Sequence, residues 1–178
     1  EQIIKLLQAL AYQVGNEVSY HELGMMAGLD NETVEKYITL LEQTFIIFRL
    51  GSFSRNLRNE LKKAKKVYFV DNGIRNSLIK NFLPLESRTD VGALWENFLM
   101  AERFKKNALD GQFNSGYFWR THAQQEIDYV EEVGGKLSAW EFKWSSKAKA
   151  KIPSTFRQAY PEASIQTIHP ENLELFVL

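Results

Sequence analysis

At 178 residues, with 44% hydrophobic side chains, the chain carries enough apolar material for one medium domain or two small ones. Its formal net charge is zero, which excludes a global field that recruits nucleic acid or membrane, so any basic surface has to be a local patch. Without cysteine there are no disulfides, thiolate zinc sites or cysteine nucleophiles, which suits a reducing cytoplasm.

In chain order, Ile3, Ile4, Leu7, Leu10, Ala11 and Val14 recur at helical spacing and predict a first helix over about 2–14, ended by Gly15-Asn16. Ser19-Tyr-His-Glu22 is a capping box that starts a second helix carrying Leu23, Met26 and Ala27. After the turn at Gly28-Leu29-Asp30, Asp30 or Asn31 caps a third helix with a buried stripe of Val34, Tyr37, Ile38 and Leu41. Two β-rich runs, 45–50 and 66–70, follow, and three helices followed by two strands is the order of a winged helix-turn-helix. The outward side of the third helix holds Glu32, Glu35, Lys36, Thr39 and Glu42, an acidic surface unsuited to reading bases. The stretch between the strands differs, because Arg55, Arg58, Lys62, Lys63, Lys65 and Lys66 face only Glu60. Such a run is either a solvated face or a sequence-independent contact to phosphate.

A cap at Asp71-Asn72-Gly73, a short helix over 74–82 and a polar connection over 84–90 lead to the second half, with the domain boundary placed between 1–84 and 85–178. The run 91–101 is apolar nearly all round and predicts a buried helix in which Glu96 and Asn97 are the only polar residues. A glutamate there has to be paired with an Arg or Lys, or bound to a cation. A strand over 117–121, a hairpin, a helix around 154–160 and two short strands near 164–168 and 173–178 complete an α/β (α+β) reading with a mixed central sheet.

The hairpin, 125–144, is joined by Gly134-Gly135, a loop that tolerates φ > 0 at both residues. Pairing Val133 with Lys136 sets Asp128 opposite Glu141 and Glu126 opposite Lys143, while Ile127, Tyr129, Trp140, Phe142 and Trp144 form a core face. Facing carboxylates cost up to about 1 kcal/mol in a strand pair. A divalent cation would offset this, since hard cations take carboxylate oxygens. The alternative is a solvated face with a Glu126–Lys143 pair.

No phosphate-binding loop, dinucleotide-binding glycine pattern, GxSxG elbow or histidine metal motif occurs; His21, His122 and His169 are scattered. Nor is there a signal peptide or an apolar run of about 18 residues. The first residue is Glu1 rather than Met, and the chain is expected to be a fragment of a longer cytoplasmic protein.

Asp128 followed by Glu141-Phe142-Lys143, with Glu96 from a preceding helix, resembles the PD-(D/E)xK nuclease superfamily, the restriction-endonuclease-like fold. The Pro that often precedes the first Asp is replaced by Ile127. The phrases at 19–23, 33–41, 53–57, 66–73, 94–98, 126–130 and 140–143 also resemble the region of unassigned function that follows the ATPase domain in many prokaryotic AAA-type proteins. These resemblances imply an N-terminal winged helix followed by a nuclease-like domain. They also imply Mg²⁺ or Mn²⁺ held by Asp128, Glu141 and Glu96, and Lys143 as the group that orients water or stabilises transition-state charge. Glu126 would support Lys143. The implied partners are DNA, contacted through the basic run, and the ATPase domain of the same chain, where any ATP would bind; no membrane is implied. The competing expectation is a catalytically inactive DNA-binding or protein-interaction module that regulates the ATPase.

Overall fold

In the computed structural model, residues 1–55, 64–111 and 116–178 are described. Of the basic run, Arg58, Lys62 and Lys63 lie outside those residues. Among the described residues the fold is mixed α+β, with seven α-helices and six strands that have both parallel and antiparallel neighbours. The chain forms two compact units, the first made of Glu1–Arg49 and Lys65–Ala101, the second of Leu50–Ala64 and Glu102–Leu178. It therefore passes between units within β1 (Ile47–Ser52) and within α5 (Val91–Leu109). No described helix is long and apolar enough to cross a membrane.

The first unit opens with α1 (Gln2–Tyr12), α2 (Tyr20–Ala27) and α3 (Asn31–Gln43). Ser19 caps α2 by accepting from the Glu22 amide at 3.4 Å, and Asp30 caps α3 through the Thr33 amide at 2.8 Å. Leu10, Leu23, Val34 and Ile38 are fully buried as the helical spacing predicts, and so is Leu6, which that spacing left out, whereas Ile4 and Met26, assigned to the stripes, are exposed. The start of β1 lies beside β2 (Lys65–Phe69), which leads into α4 (Asn72–Leu78), capped by Asp71. Asn97, on the first half of α5, replaces a missing strand neighbour: its Oδ1 accepts from the Phe69 amide at 2.8 Å and its Nδ2 donates to the Phe69 carbonyl at 3.0 Å. The predicted helix over 91–101 continues to Leu109, because the polar residues that follow the apolar run are good helix formers.

In the second unit the strand order is β1, β3 (Gly116–Arg120), β4 (Glu126–Val133), β5 (Lys136–Phe142) and β6 (Ser164–Ile168). β1 and β3 are parallel, β3–β4 and β4–β5 antiparallel, and β5–β6 parallel through the crossover helix α6 (Ser154–Ala159). A cluster of Phe53, Trp119, Ile127, Val130, Ala139, Phe156 and Tyr160 forms its core. The segment 173–178, expected as a strand, is instead the helical turn α7 (Glu174–Val177). Its Phe176 is fully buried, with its ring 5.5, 5.4 and 5.1 Å from those of Tyr129, Trp140 and Phe142. A short apolar run does not distinguish strand from helix, and burying one aromatic decides it here.

Candidate functional site

The hairpin register is as predicted: Val133 pairs with Lys136 and the ladder runs to Tyr129 and Trp140. Gly134 and Gly135 have φ of +56° and +77°, the left-handed pair that a type I′ loop requires. One pair beyond the ladder, a side chain takes over. Asp128 Oδ2 accepts from the Phe142 amide at 2.7 Å.

The other edge of β4 supplies the reason. Trp119 pairs with Ile127 but Tyr117 pairs with Val130, so Phe118 faces two residues, Asp128 and Tyr129. This is a β-bulge, a device that re-aims side chains. It also breaks the simple alternation of faces. Ile127 and Val130 join the core cluster, whereas Tyr129 packs against Trp140 and Phe176. The single core face expected for Ile127 and Tyr129 is thus split between two sides of the sheet, and Trp144, assigned to it, is 43% exposed.

Glu141, next on β5, is only 6% exposed. Burial, and then the neighbouring Asp128 carboxylate, push its pKa up to about 7, against the opposing pull of Lys143. The Lys143 ammonium lies 3.1 Å from Glu141 Oε2, while the Lys143 amide continues the sheet by donating to the Ile168 carbonyl at 2.9 Å. Asp128, Glu141 and Lys143 therefore come together as the sequence pattern predicts. The Glu126 carboxylate is 3.3 Å from Arg120, the residue that pairs with it on β3. The carboxylate expected to support Lys143 thus has an arginine counter-ion that hairpin counting alone does not reveal.

Glu96 lies in the first unit. Its Oε1 accepts from the Tyr68 hydroxyl at 2.7 Å and is 3.5 Å from the Lys66 ammonium. A Cβ on Gly15 would sit 3.2 Å from this carboxyl group, so glycine suits the position both for contact and for its φ of +77°. Glu96 is thus paired with a lysine, the first of the two alternatives that a charge in an apolar helix allows. Its lysine is only 1% exposed, which removes Lys66 from the basic surface. Lys65 lies 5.8 Å over the Tyr20 ring, and Arg55 pairs with Glu132 at 2.6 Å.

Two carboxylates at one point, one of them buried and reluctant to ionise, fit a hard divalent cation: the ion would offset their repulsion and favour the ionised form. The donors available in the second unit are Asp128 and Glu141, with the carbonyl of Phe142, the residue that follows Glu141. Among the described residues no group of three or more His, Asp or Glu side chains could hold a metal ion. The donor set suits Mg²⁺ or Mn²⁺, which are commonly bound by one or two carboxylates together with water and phosphate oxygens.

A second buried carboxylate stands on the neighbouring strand β4, and nothing in the sequence pattern singled it out. Glu131, 3% exposed, accepts from Arg103, from Asn107 at 2.6 Å and from the Tyr129 hydroxyl at 3.0 Å. Arg103 also donates to the Phe176 carbonyl at 2.8 Å and lies 5.2 Å over the Trp140 ring.

The fold and site thus define a two-unit α+β chain with a carboxylate–carboxylate–lysine triplet on a bulged hairpin. Residues 1–85 match the family profile described as domain of unknown function DUF8612, and residues 91–173 match domain of unknown function DUF4143. Uncharacterized proteins of Mycobacterium bovis (Mb2031c) and Mycobacterium tuberculosis (Rv2008c) are each 27% identical over 139 residues. The match covers 77% of this chain and 31% of each relative, so the chain spans about a third of the curated relatives it matches. No solved structure matches.

Proposed function

We propose that the second unit carries a divalent-cation site of the nuclease type, acting on a phosphodiester. The observation that carries this reading is the buried Glu141 beside Asp128, with the Lys143 ammonium 3.1 Å from it. Asp128 and Glu141 would hold the ion, which when bound lowers the pKa of a water and neutralises charge on phosphate. Lys143 supplies a point charge that orients the water or steadies the developing charge. The first unit, with three helices followed by two strands, is read as a winged helix. The phosphate-contacting candidates are Lys65 of that unit and Arg55, Arg58, Lys62 and Lys63 of the stretch 50–64, which belongs to the second unit, and the chain is read as the region following an AAA-type ATPase domain, acting in the cytoplasm on DNA.

A second reading, a non-catalytic DNA-binding or regulatory arm, is favoured by one observation: Glu96 is engaged by Tyr68 and Lys66. Incubating the chain with single- and double-stranded DNA and RNA plus Mn²⁺ separates the two. Strand scission lost in Lys143→Ala supports the catalyst. Nucleic-acid binding without scission supports the arm, and the absence of any metal response contradicts the catalyst.

A further inference from the structure

We infer that the segment following β5 is a single-strand nucleic-acid platform, in which Trp144 stacks on a base and Lys147, Lys149 and Lys151 contact phosphates. The inference extends the nuclease-type reading by naming the form of its substrate.

Three observations support it. Trp144 directly follows Lys143 and is 43% exposed, although the hairpin alternation assigns it to the core. A large aromatic kept partly exposed beside a charged site gives up burial, and its apolar surface is of a kind on which any base can stack. Next, Lys147, in a turn, and Lys149 and Lys151, in the stretch 149–153 without regular structure, are all exposed and occupy alternate positions. From Phe142 to Pro161 the chain has five cationic residues, Lys143, Lys147, Lys149, Lys151 and Arg157, and no Asp or Glu. In a chain of zero net charge that concentration is local, and the acid that reaches in from outside is Glu171, which accepts from the Ser146 hydroxyl at 2.6 Å.

Position supplies the third observation. The segment leaves β5 at the end that carries Glu141 and Lys143, and the Lys143 amide is pinned to the Ile168 carbonyl, so the platform begins from a fixed point beside the carboxylates. A strand stacked on Trp144 with its backbone along the lysines therefore approaches the same end of the sheet. A stacked duplex does not present a free base face to an aromatic side chain, whereas an unpaired base does.

The test measures binding of labelled oligo-dT, oligo-U and a duplex to the 178-residue chain in EDTA, so the result does not depend on a metal site. Trp144→Ala is expected to weaken single-strand binding about tenfold, with little change on duplex, and Trp144→Phe to restore most of it. Lys147, Lys149 and Lys151 replaced together by Ala should reduce the slope of log affinity against log salt by about 2, at about 0.7 per phosphate contact on single strands. Unchanged single-strand affinity in Trp144→Ala, or an equal loss on duplex, overturns the platform. Neither result bears on the metal site, whose readout is metal-dependent melting; variants are first matched for melting temperature without metal.

Discussion

Glu131 and Glu141 are both buried carboxylates on neighbouring strands of the same sheet, yet their surroundings differ in kind. Around Glu131 the chain places donors: Arg103, Asn107 and the Tyr129 hydroxyl all point at it. Around Glu141 it sets the Asp128 carboxylate against the Lys143 ammonium and the Asp128 backbone amide, and burial and like charge still push the pKa up to about 7. A buried charge with its donors supplied holds a fold together. One left short of compensation costs stability and is kept where something outside the chain completes it.

The sharpest way to break this comparison is to remove the carboxylates one at a time. Glu131→Ala leaves the mostly buried Arg103 without its counter-ion and should destabilise the chain by about 3–5 kcal/mol in urea unfolding. A loss similar to an ordinary surface substitution would show that the cluster is not structural. Gly116→Ala attacks the same cluster from below, because its Cβ would fall 2.2 Å from the Tyr129 hydroxyl oxygen. Overpacking of that kind should cost about 1–3 kcal/mol.

Glu141 should behave in the opposite sense. Its folded-state pKa lies above the ordinary carboxylate value, so between about 4.5 and 7 the folded chain binds more protons than the unfolded chain. Stability contributed by this residue is therefore full below that window and falls as pH rises through it, by up to about 3 kcal/mol. Comparing urea unfolding at pH 5 and pH 8 should show the fall in the wild type and a smaller one in Glu141→Gln. An identical pH dependence in the two proteins would remove the claim of strain.

The sequence and the structure agree where local chemistry decides. The caps at Ser19 and Asp30 and the Gly134-Gly135 loop are legible because each acts within a few residues. From that loop the register follows, and with it the meeting of Asp128, Glu141 and Lys143. The bulge at Asp128–Tyr129 was not legible, since it arises from pairing with β3, a neighbour that hairpin counting leaves out. For the same reason hairpin counting does not reveal the Arg120 counter-ion of Glu126. Glu131 carries no local signal at all: its partners Arg103 and Asn107 lie one turn apart on α5 and reach it only through tertiary packing. The helix at 174–177 was hidden because a run of four to six apolar residues fits either period.

The central claim, that Asp128 and Glu141 form a divalent-cation site, is tested most directly by thermal melting with and without Mn²⁺ at pH 8 and at pH 5.5. A ligand that binds only the folded state raises the melting temperature by mass action, and protons compete with it for a carboxylate whose pKa is near 7. The account predicts a clear rise at pH 8, a smaller one at pH 5.5, and none in Asp128→Ala or Glu141→Gln. Melting curves that ignore Mn²⁺ at both pH values, or a rise that survives both substitutions, would contradict it.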